Sequence, residues 1–342
     1  MTSRRHTTLK DIAAQLKLSV STVSRALHDH HAISNKTKNL VKATAKRLDY
    51  YPDSIAQNLK RKSSKTIGVI VPEIRHFFFS SAIDGIEDIA YQAGYTIIVS
   101  KSNEDTGREI LNTRSMVGNR VAGLIISVAQ TTRDGSHLSA LKGRNIPLVL
   151  FDRVLDDVDA CKVVVDDYKG AYDSTQHLID SGYQKIAHLA GPSHLKISSE
   201  RLRGYKAALR DAGVELDENL IIHAELDEEH GKTGVNKLFS LEAPPDAIFA
   251  VNDPVAVGAH RAIRSRGLTI PNDVGISGFS NNPSTEIMDP PLTTVDQHGY
   301  KLGEAAVRLL LQQIEEGRVT NEPVTKVIHG DLIIRGSSNR SS

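Results

Sequence analysis

Hydrophobic residues follow two different periods along the chain. From residue 66 onward, short runs rich in valine and isoleucine alternate with segments in which apolar residues recur every three or four positions. An apolar run, an amphipathic helix and a further apolar run predict a βαβ unit, and therefore parallel sheets with helices on both faces. There are enough runs for two sheets. They span residues 67–71, 96–99, 123–127, 147–151, 163–165, 186–190, 247–251 and 274–279.

The first fifty residues carry only the helical period. Thr8 and Asp11 have the spacing of a capping box, and Ile12, Ala13 and Leu16 supply the apolar stripe of a short first helix. A tight connection then leads to a second helix, VSTVSRAL. A third helix is expected from the N-cap Ser34 to about residue 50, and its predicted inner face consists of Leu40, Val41, Thr44 and Leu48.

The second helix has two unlike sides. Ser19 is a favourable N-cap for it. At 100° per residue, its apolar side consists of Val23, Ala26 and Leu27. The opposite side carries Ser21 and Arg25, with Val20, Thr22 and Ser24 beside them. This is a helix-turn-helix pattern, and a face of small residues with one arginine suits a helix that enters the ~12 Å major groove.

Residues 52–65, PDSIAQNLKRKSSK, connect the two parts of the chain. Pro52 and Asp53 are helix-start residues, but only about two turns can form before the basic linker, fewer than the ~12 to 15 residues an isolated helix needs. We therefore expect this segment to fold only against a partner. Its apolar residues are Ile55, Ala56 and Leu59, and leucine is a side chain that wedges into the minor groove and kinks DNA.

Charge is distributed unevenly. The net charge is only +1, yet residues 1–65 hold 14 Lys/Arg against 4 acidic residues, a balance of +10. The remainder holds 28 basic and 37 acidic residues, a balance of −9. A small basic module on a larger acidic body indicates a polyanion-binding head. Charge alone leaves open the alternative of a solvated basic surface.

Composition excludes several classes of protein. With 342 residues, 39% hydrophobic and 24% charged, two or three globular domains are expected. No run approaches the ~20 apolar residues of a membrane-spanning helix, and residues 1–11 lack the apolar segment of a secretory signal. The single cysteine, Cys161, excludes an internal disulfide framework and is expected to be a core residue. A cytoplasmic location is therefore expected.

The stretch TLKDIAAQLKLSVSTVSRALHDHHAISNKTKNLVKATAKRLDYYPDSIAQNLK is similar to the DNA-binding headpiece and hinge helix of the LacI/GalR (lactose-repressor/galactose-repressor) family of transcription regulators. The body shares a series of motifs in the family's order, from Thr8 to about Arg335 for the chain as a whole. These motifs are IGVIVPEI, AGLIIS, IPLVLFDR, VVVDDYKGAY, HLAGPS, SERLRGY, DAIFAVND, PNDVGISGF and PPLTTVDQ.

The resemblance implies an all-α helix-turn-helix headpiece and an α/β two-lobed effector domain like the periplasmic binding proteins. The expected divisions are a headpiece at 1–51, a hinge helix and linker at 52–65, and an effector-binding and dimerisation domain at 66–342. Three crossing segments would join the lobes, with a ligand cleft between them. The first lobe would take about 66–165 plus 296–323, and the second about 166–293 plus 324–340.

Several predicted strands are followed by polar or aromatic residues, where ligands bind in open α/β sheets. These residues are Phe77, Phe78, Phe79, Asp152, Arg153, Asn252, Asp253 and Ser280. The resemblance implies that the rings of Phe78 and Phe79 contact the effector and that Arg201 holds its polar groups. It also implies hydrogen bonds from Asp152, Asn252 and Gln297, whereas Phe77 is expected to pack. A plain core or surface role is the alternative for each of them.

Four departures from the family pattern bear on the ligand and on DNA binding. Ser280 stands where many relatives have an aspartate that binds ligand hydroxyls, which weakens the case for a family-typical sugar. Leu195 and Leu226 stand where the purine-type relative has an arginine and a phenylalanine, which argues against a purine corepressor. His76 adds a titratable ring at the mouth of the cleft. Asp53 replaces the usual hinge asparagine and places a negative charge near phosphate.

The sequence contains only incomplete matches to the motifs of enzymes and metal sites. HGKTG at 230–234 would need a glycine at Leu226 to be a phosphate loop. His28, His30 and His31 lie in a turn between helices, where a solvated turn is the better interpretation than a metal site. No nucleophile, base and oxyanion donor assemble, so we expect no catalytic activity, no cofactor and no metal.

These features together predict a repressor that binds a near-palindromic operator as a homodimer and is gated by a small molecule in the cleft. The expected DNA-binding residues are Thr8, Ser19, Val20, Ser21, Thr22, Ser24, Arg25, Ala56, Leu59 and Lys60. The C-terminal residues lack leucine heptads, which favours a dimer over a tail-joined tetramer. A ligand-binding protein and a non-specific architectural DNA-binding protein remain as alternatives. Effector identity and the direction of its effect stay open.

Overall fold

The computed structural model describes residues 7–50 and 64–340. The chain forms two compact units, Met1–Ser64 and Lys65–Ser342, and each is described by itself. The predicted hinge residues Ala56, Leu59 and Lys60 lie outside the described residues.

The first unit consists of three helices, α1 (Leu9–Leu16), α2 (Val20–Leu27) and α3 (Asn35–Arg47). Each begins at a side-chain cap, as predicted. The Asp11 carboxylate accepts hydrogen bonds from the backbone N–H and the hydroxyl of Thr8, at 2.8 and 2.7 Å. Ser19 Oγ accepts the N–H of Thr22 at 3.1 Å, and Ser34 plays the same role for α3. The caps satisfy N–H groups that a helix leaves unpaired at its start.

The core of this unit departs from the prediction at one residue. Ile12, Val23 and Val41 are fully buried, as the apolar stripes require. Leu40, predicted to face inward, is 52% exposed, and Ala45 is buried instead. Val41 and Ala45 are four residues apart and share one helix face, whereas Leu40 is turned about 100° away from Val41.

The second unit contains two parallel sheets and a short ribbon. Its strands are β1 (Thr66–Val71), β2 (Thr96–Lys101), β3 (Gly123–Ile126), β4 (Leu148–Phe151), β5 (Cys161–Val165), β6 (Ile186–Ala190), β7 (Ile221–His223), β8 (Ala247–Ala250), β9 (Gly275–Ser277), β10 (Thr294–Asp296), β11 (Thr325–Ile328) and β12 (Asp331–Ile333). The first sheet has the order β11-β5-β4-β3-β1-β2 and the second β7-β6-β8-β9, while β10 and β12 pair antiparallel. Every apolar run predicted to be a strand is one.

Helices cover both faces of the sheets. They are α4 (Phe77–Gln92), α5 (Thr106–Gly118), α6 (Ser136–Ser139), α7 (Asp167–Asp180), α8 (Lys196–Asp211), α9 (Glu228–Leu238), α10 (Asp253–Ser265) and α11 (Gly299–Glu316). Short 3-10 turns occupy Lys142–Arg144, Glu218–Leu220 and Pro283–Thr285. Within the described residues, no helix is both long and apolar enough to cross a membrane.

The boundary between the lobes differs from the expectation in one place. Residues 324–340 were expected in the second lobe, but β11 pairs in parallel with β5 of the first sheet, with Thr325 opposite Lys162 and Ile328 opposite Val165. The chain enters the second lobe after β12, where Ser337 accepts the backbone N–H of Ile276. The strand β11 is exposed except for its final residue, which is partly buried. Its sequence, TKVI, does not alternate apolar and polar residues, so the hydrophobic pattern did not predict a strand there.

Two helix pairs position the residues considered below. A Cβ atom added to Gly85 of α4 would lie 2.2 Å from the carbonyl oxygen of Tyr300 in α11. A Cβ atom on Gly204 of α8 would lie 2.3 Å from the carbonyl oxygen of Tyr168 in α7. Glycine lets each pair of helix backbones approach this closely, because it has no side chain to separate them. The starts of α4 and α7 and the first turns of α8 are thereby held at the ends of the strands.

Candidate functional site

A cavity of about 260 Å³ lies between the two lobes of the second unit. It is slightly smaller than the usual range of small-molecule sites, which indicates a compact ligand. The first lobe supplies Glu73, Arg75, His76, Phe77, Phe78, Phe79, Glu104, Gln130, Asp152 and Arg153. The second lobe and the crossing segments supply Ile197, Arg201, Leu226, Asp227, Asn252, Pro254, Ser280, Asn282 and Gln297.

Most of the predicted effector residues line this cavity. They are Phe78, Phe79, Asp152, Arg153, Arg201, Asn252, Ser280 and Gln297. Asp253 does not line it. The carboxylate of Asp253 accepts hydrogen bonds from Thr294 Oγ1 at 2.6 Å and from the N–H of Asn282 at 2.7 Å. Asp253 is 1% exposed, and it holds the Asn282 loop against the second lobe.

An aromatic wall forms one side of the cavity. Phe78 and Phe79 are buried at the start of α4, with ring centroids 5.2 Å apart in an edge-on arrangement. Phe79 also lies edge-on to Phe151 of β4, at 6.4 Å. Phe77, expected to pack, is instead 44% exposed and lines the cavity. Phe77 thus offers an exposed aromatic surface at the rim of the cavity, whereas Phe78 and Phe79 line the cavity and also pack in the core.

The floor of the first lobe carries a nearly unpaired carboxylate. Asp152 follows β4 in the left-handed conformation, with φ of 58°, and is 5% exposed. Its Oδ2 lies 3.5 Å from Ser127 Oγ and 4.0 Å from Arg153 Nε. Burial raises the pKa of Asp152 to about 6, although Arg153 opposes the shift.

Arg153 is held by the loop that follows β2. Its Nη1 donates to both carboxylate oxygens of Glu104, at 2.8 and 2.7 Å. The Glu104 carboxylate also accepts the N–H of Gln130 at 2.8 Å, and the Glu104 carbonyl accepts Thr131 Oγ1 at 2.9 Å. The loops after β2, β3 and β4 are therefore tied together beneath the ligand space.

Arg201 in α8 is engaged by a residue that the sequence had not singled out. Its Nε and Nη2 donate to Oδ1 of Asp167 at 2.8 and 2.6 Å, and its Nη1 donates to the carbonyl of Val251 at 2.6 Å. The guanidinium carbon lies 3.7 Å from the ring centroid of Phe279. Asp167 comes just after β5, within the VVVDDYKGAY motif. Because ligands in open α/β sheets bind beyond the carboxyl ends of the strands, its position in the sequence could have identified it.

The remaining polar residues of the second lobe have backbone partners. The side chain of Asn252 caps α10 by accepting the N–H of Val255 at 2.9 Å, and it donates to the carbonyl of Leu226 at 3.0 Å. Ser280 has φ of 136°, a conformation rare outside glycine, and its N–H donates to the carbonyl of Val295 at 2.8 Å. These contacts orient the cleft wall before any ligand enters.

A wider groove of about 620 Å³ lies along α7 and α8 and contains none of the predicted residues. Its cations are already paired on the surface, Arg203 with Glu200, Lys206 with Glu218 and Arg210 with Asp211. Within residues 7–50 and 64–340, no three His, Cys, Asp or Glu side chains are placed to share a metal ion.

In the first unit, α2 presents the predicted polar face. Ser21 and Arg25 are exposed, and Val20 is 42% exposed. Ser19 Oγ lies 2.8 Å from the hydroxyls of both Ser21 and Thr22. The hydroxyl groups thus form one small cluster at the start of the helix, one turn before the arginine.

Comparison with known proteins agrees with both units. Residues 8–53 match the bacterial regulatory proteins of the lacI family, and residues 64–330 match the periplasmic binding proteins and sugar binding domain of the LacI family. The HTH-type transcriptional repressor CytR of Escherichia coli (strain K12) is 33% identical over 332 residues, which are 97% of this chain and 96% of CytR. Catabolite control protein A of Priestia megaterium is 33% identical over 318 residues, 93% of this chain and 95% of its own.

Solved structures show the same likeness. The lac repressor dimer bound to operator and the anti-inducer ONPF matches with a TM-score of 0.85 and 26% identity, over 98% of this chain and 99% of that one. A complex of the transcriptional regulator CelR with cellobiose matches with a TM-score of 0.74 and 27% identity, over 97% of this chain and 100% of that one. The chain belongs to the LacI family of bacterial regulatory proteins.

Proposed function

We propose that the chain is a transcriptional repressor that binds a near-palindromic operator as a homodimer and is controlled by a small-molecule effector, such as a sugar or a related metabolite. The observation that carries the proposal is an exposed arginine on a helix-turn-helix, Arg25, in a chain that also holds a two-walled cleft. The lac repressor relative is a dimer on operator DNA, and the CelR relative binds cellobiose.

In this proposal α2 reads the operator. Arg25 and Ser21 contact base edges together with Val20, since an arginine places two donors on guanine in the major groove. Thr8, Ser19, Thr22 and Ser24 contact phosphates, which set the register of the protein on the duplex. The headpiece ends at about residue 51, and Ala56, Leu59 and Lys60 of the hinge contact the minor groove, where paired Leu59 side chains open a central step.

The cleft acts as the switch. Its walls come from both lobes, with the phenylalanines and Asp152 on one side and Arg201 and Asn252 on the other. A ligand that contacts both walls stabilises one angle between the lobes over another, and this difference in affinity is the energy available for control. The change reaches DNA by deciding whether the two hinge segments can pair and fold.

The proposal includes no catalytic step and a cytoplasmic site of action, where operator DNA is found. The relatives are transcriptional regulators. The three arginines of the cleft are held in ion pairs with carboxylates, such as Arg201 with Asp167.

Selection from a random DNA library followed by affinity measurement tests the proposal. A regulator should enrich a near-palindromic sequence and bind it at least about 10³-fold more tightly than random DNA at physiological salt. Equal affinity for both would instead show an architectural protein, and ligand binding without DNA binding would show a ligand-binding protein.

Leu59→Ala should reduce DNA bending in a gel phasing assay. Unaltered bending would contradict the insertion of Leu59 into the minor groove.

A further inference from the structure

The charged side chains around the cavity are unevenly matched. Within the described part of the chain, three arginines line it, and each has a carboxylate partner. Arg75 Nε lies 3.0 Å from Glu73, Arg153 Nη1 lies 2.7 Å from Glu104, and Arg201 Nη2 lies 2.6 Å from Asp167. Two more carboxylates, those of Asp152 and Asp227, line the cavity without belonging to these pairs. A third, that of Asp253, lies next to the cavity and accepts the N–H of the lining residue Asn282.

The other groups near the cavity add little positive charge. Burial is the main cause that lowers the pKa of His76, with Arg75 contributing, so this ring is largely neutral at pH 8. Asp227 lies 2.6 Å from Nδ1 of His230 at the exposed start of α9. The cavity therefore has an acidic excess that includes the buried Asp152.

We propose that this arrangement makes the cleft reject anions, so that the effector is an uncharged or cationic molecule rich in hydrogen-bond donors, and not a phosphorylated or carboxylated metabolite. The inference rests on the proposed function, since it names the class of effector for the same cleft. The residue that sets this specificity is Asp167, which neutralises Arg201.

Arg201 has little to offer an anion. Two of its N–H groups point at one oxygen of Asp167, a third points at the carbonyl of Val251, and one face of the guanidinium is covered by Phe279. Arg201 and Asp167 are 2% and 6% exposed. An anionic group that took over the guanidinium would leave the Asp167 carboxylate buried without its partner, which is a large electrostatic cost.

Unpaired acceptors on the opposite wall favour a donor-rich ligand. The Asp152 carboxylate accepts one long hydrogen bond, from Ser127 Oγ at 3.5 Å, and lies 4.0 Å from Arg153 Nε. Gln130 Oε1 is buried with no hydrogen-bond partner in the described structure. Hydroxyl or ammonium groups of a ligand satisfy such atoms, whereas phosphate oxygens repel them. Arg153 Nε is a buried donor without a hydrogen-bond partner in the described structure, but the charge of Arg153 is already balanced by Glu104, 2.7 Å from its Nη1.

Binding of inorganic phosphate to the full-length protein tests the proposal by isothermal titration at pH 8. Wild type should show no saturable binding at millimolar phosphate. Asp167→Asn keeps an oxygen for Arg201 but removes the neutralising charge; it should bind phosphate saturably, at least about tenfold more tightly than the upper limit that the wild-type titration sets. Asp173→Asn is the matched control, because Asp173 is on the same helix but pairs with Lys169 at the surface; it should behave as wild type.

A second variant keeps the test decisive if Asp167→Asn does not fold, which a thermal melt will show. Asp152→Asn removes a carboxylate from the opposite wall and should also increase phosphate affinity. Saturable phosphate binding by wild type would overturn the proposal, as would a folded Asp167→Asn protein with no gain or an equal gain in Asp173→Asn. If only Asp152→Asn folds, the absence of a gain there overturns it. Operator binding in phosphate-free buffer tests the proposed function separately.

Discussion

The guanidinium of Arg201 donates two hydrogen bonds to a single carboxylate oxygen of Asp167, at 2.8 and 2.6 Å, in a site where both side chains are almost completely buried. Arg201 lies in the second turn of α8 and Asp167 begins α7, two helices that pack closely at Gly204. The pair therefore joins the packing of the second lobe to the wall of the cleft. It thus bears on the stability of the lobe as well as on the proposed rejection of anions.

Breaking this pair should be costly. Arg201→Gln leaves Asp167 buried without a cation, and the free energy of unfolding should fall by about 3 to 5 kcal/mol in urea denaturation. The double variant Arg201→Gln/Asp167→Asn removes both charges and should recover part of that loss. Arg203→Gln breaks an exposed pair with Glu200 on the same helix and should cost less than about 1 kcal/mol. Equal losses in both single variants would contradict a buried, charge-dependent pair.

Asp152 should make stability depend on pH in a direction unusual for a carboxylate. Its pKa of about 6, raised by burial, exceeds the ordinary value of 3.8, so between these values the folded protein binds more protons than the unfolded chain. The contribution of Asp152 to stability is therefore greatest below about pH 4 and is lost as pH rises to about 6. At pH 8, Asp152→Asn should be more stable than wild type by about 2 to 3 kcal/mol.

Chemical denaturation at pH 4 and pH 8 checks this expectation. The advantage of Asp152→Asn should nearly vanish at pH 4, because the wild-type carboxyl is then protonated. Asp253 has a pKa raised to about 6 by burial as well, so wild type and variant should share its contribution. A variant that is equally destabilised at both pH values would show that Asp152 has a packing role instead.

Phe78→Ala should alter the effector response while leaving effector-free operator binding intact. The ring contributes to the aromatic wall beside Phe79, and its loss removes apolar area from any ligand that stacks there. An effector is found first by a thermal-shift screen of sugars, nucleosides and sugar phosphates, since a ligand at 100 times its dissociation constant adds about 2.7 kcal/mol. Phe78→Leu keeps most of the packing and separates loss of ligand contact from loss of fold. Unchanged effector affinity in both variants would remove Phe78 from the binding site.

Arg25→Ala should cost about 1 to 3 kcal/mol of binding free energy on the selected operator and relax the preference at one base pair. The physical reason is the loss of two directed donors from the exposed face of α2. Arg47→Ala, at the end of α3, removes the same side chain from a helix not expected to read bases and should leave the base preferences intact. Base preferences measured across single-substitution operators distinguish the two, and an unchanged profile for Arg25→Ala would refute the base contact.

Features that depend on neighbours in the chain were predictable. The helix caps at Ser19 and Ser34 depend on residues within one turn of the cap. A buried strand such as IGVIV is indicated by its own unbroken apolar run. Neither feature requires knowledge of distant parts of the chain. Phe78 and Asp152 follow predicted strands and were expected at one ligand site, because ligands in open α/β sheets bind beyond the carboxyl ends of the strands; both line the cavity. Arg201, which also lines it, was expected from the family resemblance. Short or exposed strands such as β7 and β11 lack such a signal.

Pairing across the fold was decided only in three dimensions. The family resemblance implied that Arg201 holds polar groups of the effector, but its charge is cancelled by Asp167, 34 residues away. Pattern likewise placed Asp253 in the cleft, although Thr294 and Asn282 hold its carboxylate below the surface. A residue type specifies which charge or donor is present, whereas its partner, its burial and hence its free energy depend on which distant segments the packing of the helices and sheets brings within about 3 Å.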